Sequence, residues 1–151
     1  MNRRELQYGD ILAVDRQGGL YRHYAVYVGN GRVIHYAADQ GDFGENMYIH
    51  EAPIQEFVQT AEEISICSFP KKSFDKEYHL YSPQETVARA RRRIGEKNYN
   101  LVSNNCEHFA IWCKTGISSS RQVTQFFQSC MGYIIPAPVL PIVNLLLRER
   151  R

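Results

Sequence analysis

The chain has 151 residues, a length that suits one domain and is too short for two independent ones. Hydrophobic residues make up 44% and charged residues 23%, close to globular averages, so the composition excludes a disordered chain. The net charge of +2 gives no strong global field, and no nucleic-acid motif is visible, so we expect no nucleic-acid partner.

Short β-rich runs separated by glycines fill the first half of the chain and predict an antiparallel sheet. These runs are 10–15, 23–28, 32–37 and 64–69. The clearest hairpin turns through Gly29, Asn30 and Gly31, because Gly and Asn tolerate the positive φ of a tight turn. Residues 40–46 are predicted to form a mobile loop.

The second half begins with a helix signature. Ser82 and Glu85 form a capping-box pattern around Pro83, which predicts a helix over 83–94 capped by Gly95. Arginines cover most of one side of this helix and predict a solvated face, or alternatively a surface that faces anionic lipid headgroups. They are Arg89, Arg91, Arg92 and Arg93.

A second helix is predicted to begin at Asn104, with Glu107 in the capping-box position, and to end near Gly116. Cys106 then lies in its first turn. Four residues recur at the spacing of one helix face, which should pack on the sheet: Cys106, Phe109, Ala110 and Cys113.

The C-terminal part differs in composition from the rest. Residues 122–147 contain no Asp, Glu, Lys, Arg or His and are followed by the basic cluster 148–151. The run is long enough to cross a bilayer, but its three prolines interrupt any continuous helix, so membrane anchoring and core packing both stay open. We predict a catalytic domain over 1–120 and an uncharged tail over 121–151 that serves as a possible membrane anchor.

The four cysteines form no Cys-x-x-Cys pair, and the N-terminus carries no apolar signal sequence, so we expect a cytoplasmic, reducing environment. Cys67, Cys113 and Cys130 are interpreted as small buried hydrophobic residues. Cys106 differs, because amides in the first turn of a helix stabilise a thiolate and can also bind an oxyanion.

A nucleophilic cysteine needs a base, and His23 and His35 are the candidates, one on each strand of the hairpin. A three-residue loop places Ala25 opposite His35 and brings both histidines to one face. A two-residue turn would pair Val26 with His35 and place the histidines on opposite faces. The proposed site therefore predicts an odd loop or a bulge.

The two histidines also allow other interpretations. Strand histidines can simply satisfy local hydrogen bonds, and a metal site of His23, His35 and Cys106 matches no known zinc spacing, so no metal or other cofactor is expected. His50 and His79 belong to no visible constellation and are interpreted as surface residues.

Three ordered motifs carry a resemblance to a known family. They are His23-Tyr-Ala-Val-Tyr-Val-Gly29, Val33-Ile-His35 and Asn105-Cys-Glu-His-Phe109. With the flanking sequence from Gly9 to Gly116, they resemble the lecithin:retinol acyltransferase-like family, and within it the small phospholipase A and acyltransferase branch. The resemblance implies a circularly permuted papain-like α+β fold, an antiparallel sheet packed against helices.

The same resemblance implies a catalytic triad and a substrate class. Cys106 would be the nucleophile, His23 the general base and His35 the polar residue that orients it. Glycerophospholipids would donate an acyl group through a thioester to water, a phosphatidylethanolamine amine or a lysophospholipid, at a membrane surface. Alternatives are a cysteine peptidase or amidase, and a non-catalytic interaction module.

Overall fold

The computed structural model describes residues 5–73, 75–97, 105–118 and 134–138, and for residues 105–107 and 134–138 it describes the backbone alone. In chain order the elements are β1 (Ile11–Arg16), a 3-10 turn (Gln17–Gly19), β2 (Tyr21–Tyr27), β3 (Arg32–Ala38), β4 (Met47–Pro53), α1 (Ile54–Val58), β5 (Glu63–Cys67), α2 (Pro83–Arg92), α3 (Asn105–Thr115) and β6 (Ile134–Pro138). The predicted α+β class and antiparallel sheet are confirmed.

The strands form one antiparallel sheet in the order β4-β3-β2-β1-β5-β6. Strands β1 to β4 follow one another in the chain and in the sheet, so each successive pair forms a hairpin, a connection that antiparallel strands allow. Strand β5 pairs with the other side of β1, so β1 and β2 both lie inside the sheet. Most residues of these two strands are buried.

The sheet has two apolar faces, each covered by helix. On one face Tyr24 and Val26 of β2 pack with Phe109 and Cys113 of α3 in a core that also includes α2. On the other face Ala25 and Tyr27 of β2 pack with Phe57 of α1. Burial on both faces explains why β2 is a nearly continuous apolar run and does not alternate with polar residues.

The β2–β3 hairpin has the predicted odd loop. Val26 pairs with Ile34 and Tyr27 with Val33, a register that leaves Gly29, Asn30 and Gly31 as the loop. All three have positive φ, of 83°, 53° and 68°. The register prediction is therefore confirmed, and it fixes which face of the sheet the two histidines share.

The predicted helices are present, and their ends follow from capping. Ser82 accepts a hydrogen bond from the Glu85 amide, and the Glu85 side chain accepts one from the Ser82 amide, so the capping box begins α2. The helix ends at Arg92, two residues before the predicted end. The structure begins α3 at Asn105, and the predicted cap Asn104 lies outside the described residues.

The arginine-rich side of α2 is only in part the solvated face that the sequence predicted, because Arg91 and Arg92 are exposed while Arg89 and Arg93 pack on Trp112. Arg89 is only 9% exposed and donates hydrogen bonds to the carbonyls of Trp112 and Cys113. The Trp112 ring is held between the guanidinium groups of Arg89 and Arg93, 3.7 Å and 3.6 Å from its centroid. Arg91 bonds to Glu51 of β4. Arg89, Arg91 and Arg93 join α2 to its neighbours.

The elements of the fold that were not predicted include β4 and α1. β4 pairs with β3 along its whole length, and α1 follows it directly. Within β4 only Ile49 and Ala52 are buried, so the strand carries too few apolar residues to produce a period-2 pattern. α1 is a single short stretch of five residues, below the length at which helical periodicity can be read.

Part of the uncharged C-terminal run belongs to the sheet. Strand β6 pairs with β5, with Ile134 opposite Cys67 and Pro138 opposite Glu63. An edge strand is where proline is tolerated in a sheet, which accounts for Pro136 and Pro138. Among the residues that the structure describes, no helix has both the length and the apolar character to cross a bilayer.

Candidate active site

The two histidines of the hairpin meet on one face of the sheet. His23 Nε2 lies 3.0 Å from His35 Nδ1, a hydrogen bond between diagonal neighbours on β2 and β3. Each residue is 2% exposed. The Phe57 ring of α1 lies 5.5 Å from the His23 ring and 6.2 Å from the His35 ring, centroid to centroid, and covers the pair.

This environment keeps both imidazoles uncharged at neutral pH. Burial lowers the pKa of His23 to about 4, although Asp42 acts against burial while Arg16 and His50 add to it. Burial and the neighbouring His23 and His50 lower the pKa of His35 to about 3. A neutral imidazole retains a free nitrogen lone pair, so either residue is in the form of a base.

A carboxylate that the sequence did not single out lies beside the pair. Asp42 belongs to the loop between β3 and β4, yet its side chain is only 5% exposed, and its Oδ1 is 3.7 Å from His23 Nε2. It accepts hydrogen bonds from Arg16 Nε at 2.7 Å, the Tyr21 hydroxyl at 3.0 Å and Gln59 Nε2 at 3.3 Å. Burial alone would raise the pKa of Asp42, but Arg16, His23 and Tyr21 bring it below its usual value.

Arg16 anchors this carboxylate to the rest of the fold. The Arg16 side chain is 9% exposed and also donates to the backbone carbonyls of Phe57 and Val58 at the end of α1. One guanidinium group therefore ties together the end of β1, the end of α1 and the Asp42 loop. No local sequence signal marks this cluster, because Arg16, Asp42 and Gln59 are far apart in the chain.

The interpretation of His50 as a surface residue is wrong. It lies opposite His35 in the β3–β4 register, half-buried, with ring centroids 4.9 Å apart. Its Nδ1 is 3.0 Å from the Tyr48 carbonyl oxygen. The sequence could not reveal this histidine, because β4 itself was not predicted. His79 is exposed, as predicted.

The backbone of Cys106 lies in the first turn of α3, as predicted, and its side chain lies outside the described residues. The rest of the predicted face, Phe109, Ala110 and Cys113, is fully buried against the sheet. These three pack on the face opposite to the one that carries His23. The described residues thus bring the two histidines together, while the Cys106 thiol is not among the groups whose contacts are described.

The other cysteines behave as predicted where they are described. Cys67 and Cys113 are buried thiols. Burial raises the pKa of Cys113 far above that of an ordinary thiol, so it is unreactive. Cys130 lies outside the described residues.

Within the described ranges, no three His, Cys, Asp or Glu side chains are grouped so that they could hold a metal ion. The groups gathered around His23 are two imidazoles, one carboxylate and one guanidinium. Such a set can exchange protons and orient a base. It suits acid–base chemistry next to a nucleophile.

Comparison with known protein families identifies the family of this chain. Residues 4–119 match the model of the lecithin retinol acyltransferase family. The chain belongs to this family.

Named relatives agree with this assignment. The family member described here is 30% identical over 124 residues to phospholipase A and acyltransferase 4 of Homo sapiens, in an alignment that covers 76% of this chain and 73% of the relative. It is 31% identical over 123 residues to phospholipase A and acyltransferase 3 of Mus musculus, covering 76% and 74%. Lecithin retinol acyltransferase of Bos taurus is 27% identical over 143 residues, covering 80% and 60%. The relatives are thus named as acyltransferases and phospholipases A, and the resemblance that the motifs predicted is confirmed.

Proposed function

We propose that this family member is a thiol-dependent phospholipase A and acyltransferase with Cys106 as nucleophile, His23 as general base and His35 as the residue that orients it. The observation that carries the proposal is the buried, uncharged His23–His35 pair, joined by a 3.0 Å hydrogen bond, in a chain of this family. In this proposal the fold is a circularly permuted papain-like one, with the histidine hairpin before the cysteine helix.

The reaction has two steps. His23 takes the proton of the Cys106 thiol, and the sulfur attacks the carbonyl carbon of a glycerophospholipid ester at sn-1 or sn-2. The ester C–O bond breaks, His23 returns the proton to the leaving oxygen, and a lysophospholipid departs. Water, a phosphatidylethanolamine amine or a lysophospholipid hydroxyl then attacks the thioester and restores the thiol.

The position of Cys106 supports this role. The amides in the first turn of a helix have no partner within the helix, so those of α3 can bind the oxyanion that forms during the attack. His23 is the third residue of β2 and lies near the N-terminal end of the strand. We therefore propose that the Cys106 thiol reaches the His23 imidazole by passing this end of β2. Contact through the centre of the sheet is excluded, because Tyr24 and Val26 fill the side against α3.

Two exposed apolar side chains near the histidines support action at a membrane surface. Leu20, 76% exposed, directly precedes β2, and Phe43, 65% exposed, contacts the Tyr21 ring at 5.4 Å between centroids. Tyr21 in turn bonds to Asp42, beside His23. Phospholipid substrates lie in a bilayer, so we propose that this edge meets the membrane and that the uncharged C-terminal run contributes to attachment.

Product analysis tests the proposed reaction. The purified chain is incubated with vesicles of phosphatidylcholine and phosphatidylethanolamine, and lysophospholipid, fatty acid and N-acyl product are followed by mass spectrometry. We expect products from the wild type and from Cys113→Ala, a matched change of a buried cysteine on the same helix, and none from Cys106→Ser. A folded wild type that yields no product would support the peptidase or the binding-module alternative.

The membrane edge has its own prediction. Phe43→Ser removes a ring that is 65% exposed beside the site. Full burial of Phe contributes roughly 1.5–3 kcal/mol and the exposed part about two thirds of that, so we expect binding to the same vesicles, measured by flotation, to fall about fivefold to thirtyfold. Tyr8→Ser is the matched control. Tyr8 is also exposed, but it lies near Gly29 at the other end of β2. Equal losses in both variants would contradict a membrane-facing edge at Phe43.

A further inference from the structure

The hydrogen bond between the two histidines has two possible proton arrangements. In the first, His23 carries its proton on Nε2 and donates to His35 Nδ1. In the second, His35 Nδ1 carries the proton and His23 Nε2 accepts it. Only the first leaves His23 Nδ1 unprotonated and available to accept a proton from another group.

The histidine pair by itself does not choose between these arrangements. His35 Nε2 is buried without a hydrogen-bond partner among the described residues. It is an unpaired donor in the first arrangement and an unpaired acceptor in the second, so both leave one buried polar atom unsatisfied. A further group near His23 must therefore favour one of the two proton arrangements over the other.

Asp42 is placed to make that choice. Its Oδ1 lies 3.7 Å from His23 Nε2. This negative oxygen attracts a proton on Nε2 and repels an unprotonated Nε2, whose lone pair is also negative. Arg16 fixes the carboxylate through two hydrogen bonds, of 2.7 Å and 3.2 Å, and Tyr21 adds a third. The carboxylate therefore cannot turn away from the imidazole without losing these partners.

The charge of Arg16 does not cancel this effect. Asp42 raises the pKa of His23 more than Arg16 lowers it, so the carboxylate dominates at the imidazole. His50, a third imidazole near the pair, contacts His35, with the two centroids 4.9 Å apart. Asp42 is the described carboxylate that lies within reach of His23 Nε2.

From this geometry we infer that Asp42 is a positioning residue that holds the proton of His23 on Nε2 and leaves Nδ1 as the basic nitrogen. The consequence for catalysis rests on the proposed function, in which His23 is the base. Asp42→Asn is then expected to lower kcat about 10- to 100-fold, with KM nearly unchanged, because the wrong tautomer cannot take the thiol proton.

The test reads the tautomer directly and needs no substrate. The full chain is prepared with ¹⁵N-labelled histidine, and long-range ¹H–¹⁵N correlation spectra at pH 7 distinguish protonated from unprotonated ring nitrogens. Matched variants are Asp42→Asn, which removes the charge but keeps an acceptor, Asp42→Glu, which keeps the charge, and Asp39→Asn. Asp39 is an exposed acid in the same loop, bonded to the Tyr48 hydroxyl.

We expect His23 of the wild type and of Asp39→Asn to show a protonated Nε2 and an unprotonated Nδ1. Asp42→Asn should shift both nitrogens toward values averaged over the two tautomers, and Asp42→Glu should restore much of the difference. A wild-type His23 protonated on Nδ1 would overturn the inference even if Asp42→Asn failed to fold, and so would identical spectra for wild type and Asp42→Asn. Failure of the lipid assay with the expected spectra would count against the proposed function alone.

Discussion

At the scale of single residues, the site depends on imidazoles that stay uncharged in a buried position. His23 and His35 each become protonated far more readily in the unfolded chain, where their pKa is near 6.5, than in the fold, where it is about 4 and about 3. The folded state therefore binds fewer protons than the unfolded state at mildly acidic pH. Stability must then rise with pH across that interval.

This difference gives a prediction for pH. Stability should be nearly constant above pH 7, fall as pH drops from about 6.5 toward 4, and lose on the order of 2 kcal/mol per histidine at pH 5. Urea denaturation at several pH values measures it. His35→Gln should flatten the dependence, whereas His79→Gln, at an exposed histidine, should leave it unchanged. A wild-type stability that does not change between pH 7 and pH 5 would show that the pair is not buried in the neutral form.

At the scale of secondary-structure elements, α2 and α3 are joined by a guanidinium group. Arg89 stacks on Tyr81 and Trp112 and donates to two carbonyls near the end of α3. Those carbonyls belong to the last turn of the helix, where the Trp112 carbonyl also accepts a hydrogen bond from the Gly116 amide at 2.9 Å. Arg89 thus supports the helix that carries Cys106 at its other end.

Replacing Arg89 should lower the stability of the fold more than replacing its exposed neighbour Arg92. Arg89→Ala removes two hydrogen bonds from a charged donor and two cation–π contacts, so we expect a loss of about 2–4 kcal/mol in the free energy of unfolding. Arg92→Ala, at an exposed position, should change it by less than about 0.5 kcal/mol. Chemical denaturation measures both. A loss in the free energy of unfolding that is small in both variants would contradict the role of Arg89 in joining α2 to α3.

The elements also show what a sequence can and cannot predict. The β2–β3 register followed from Gly29, Asn30 and Gly31, and the start of α2 from its capping box, because both signals are local and have a known geometry. β4 was missed because few of its residues are buried. Its absence from the prediction also hid His50, which reaches the site only through the pairing of β4 with β3.

Asp42 and Arg89 show a second limit of the same kind. Each is a charged residue that sequence rules assign to solvent, and each is buried by partners distant in the chain: Arg16 and Gln59 for Asp42, and Trp112 for Arg89. Burial of a charge depends on such partners, so it cannot be read from local composition. The buried histidine pair, to which we assign the proposed catalytic role, was predictable because both members lie in one hairpin.

At the scale of the whole molecule, one twisted sheet separates two cores, and the candidate site lies on the face covered by α1. The helix with Cys106 packs on the other face. In the proposed function, the first turn of α3 therefore approaches His23 past the N-terminal end of β2. β6 extends the sheet with residues from the C-terminal run and links that run to the domain. Family membership and the geometry of the histidine pair support the same proposed chemistry.

The central claim is that an acyl group passes through a thioester on Cys106, and trapping that intermediate tests it most directly. The wild type, Cys106→Ala and His23→Gln are mixed with phosphatidylcholine vesicles, quenched in acid, and examined by intact-mass and peptide mass spectrometry. We predict one fatty acyl chain on the Cys106 peptide of the wild type, removable by neutral hydroxylamine, no adduct in Cys106→Ala, and slow formation in His23→Gln. An adduct on another residue, or a Cys106→Ala variant that releases lysophospholipid at the wild-type rate, would contradict the account.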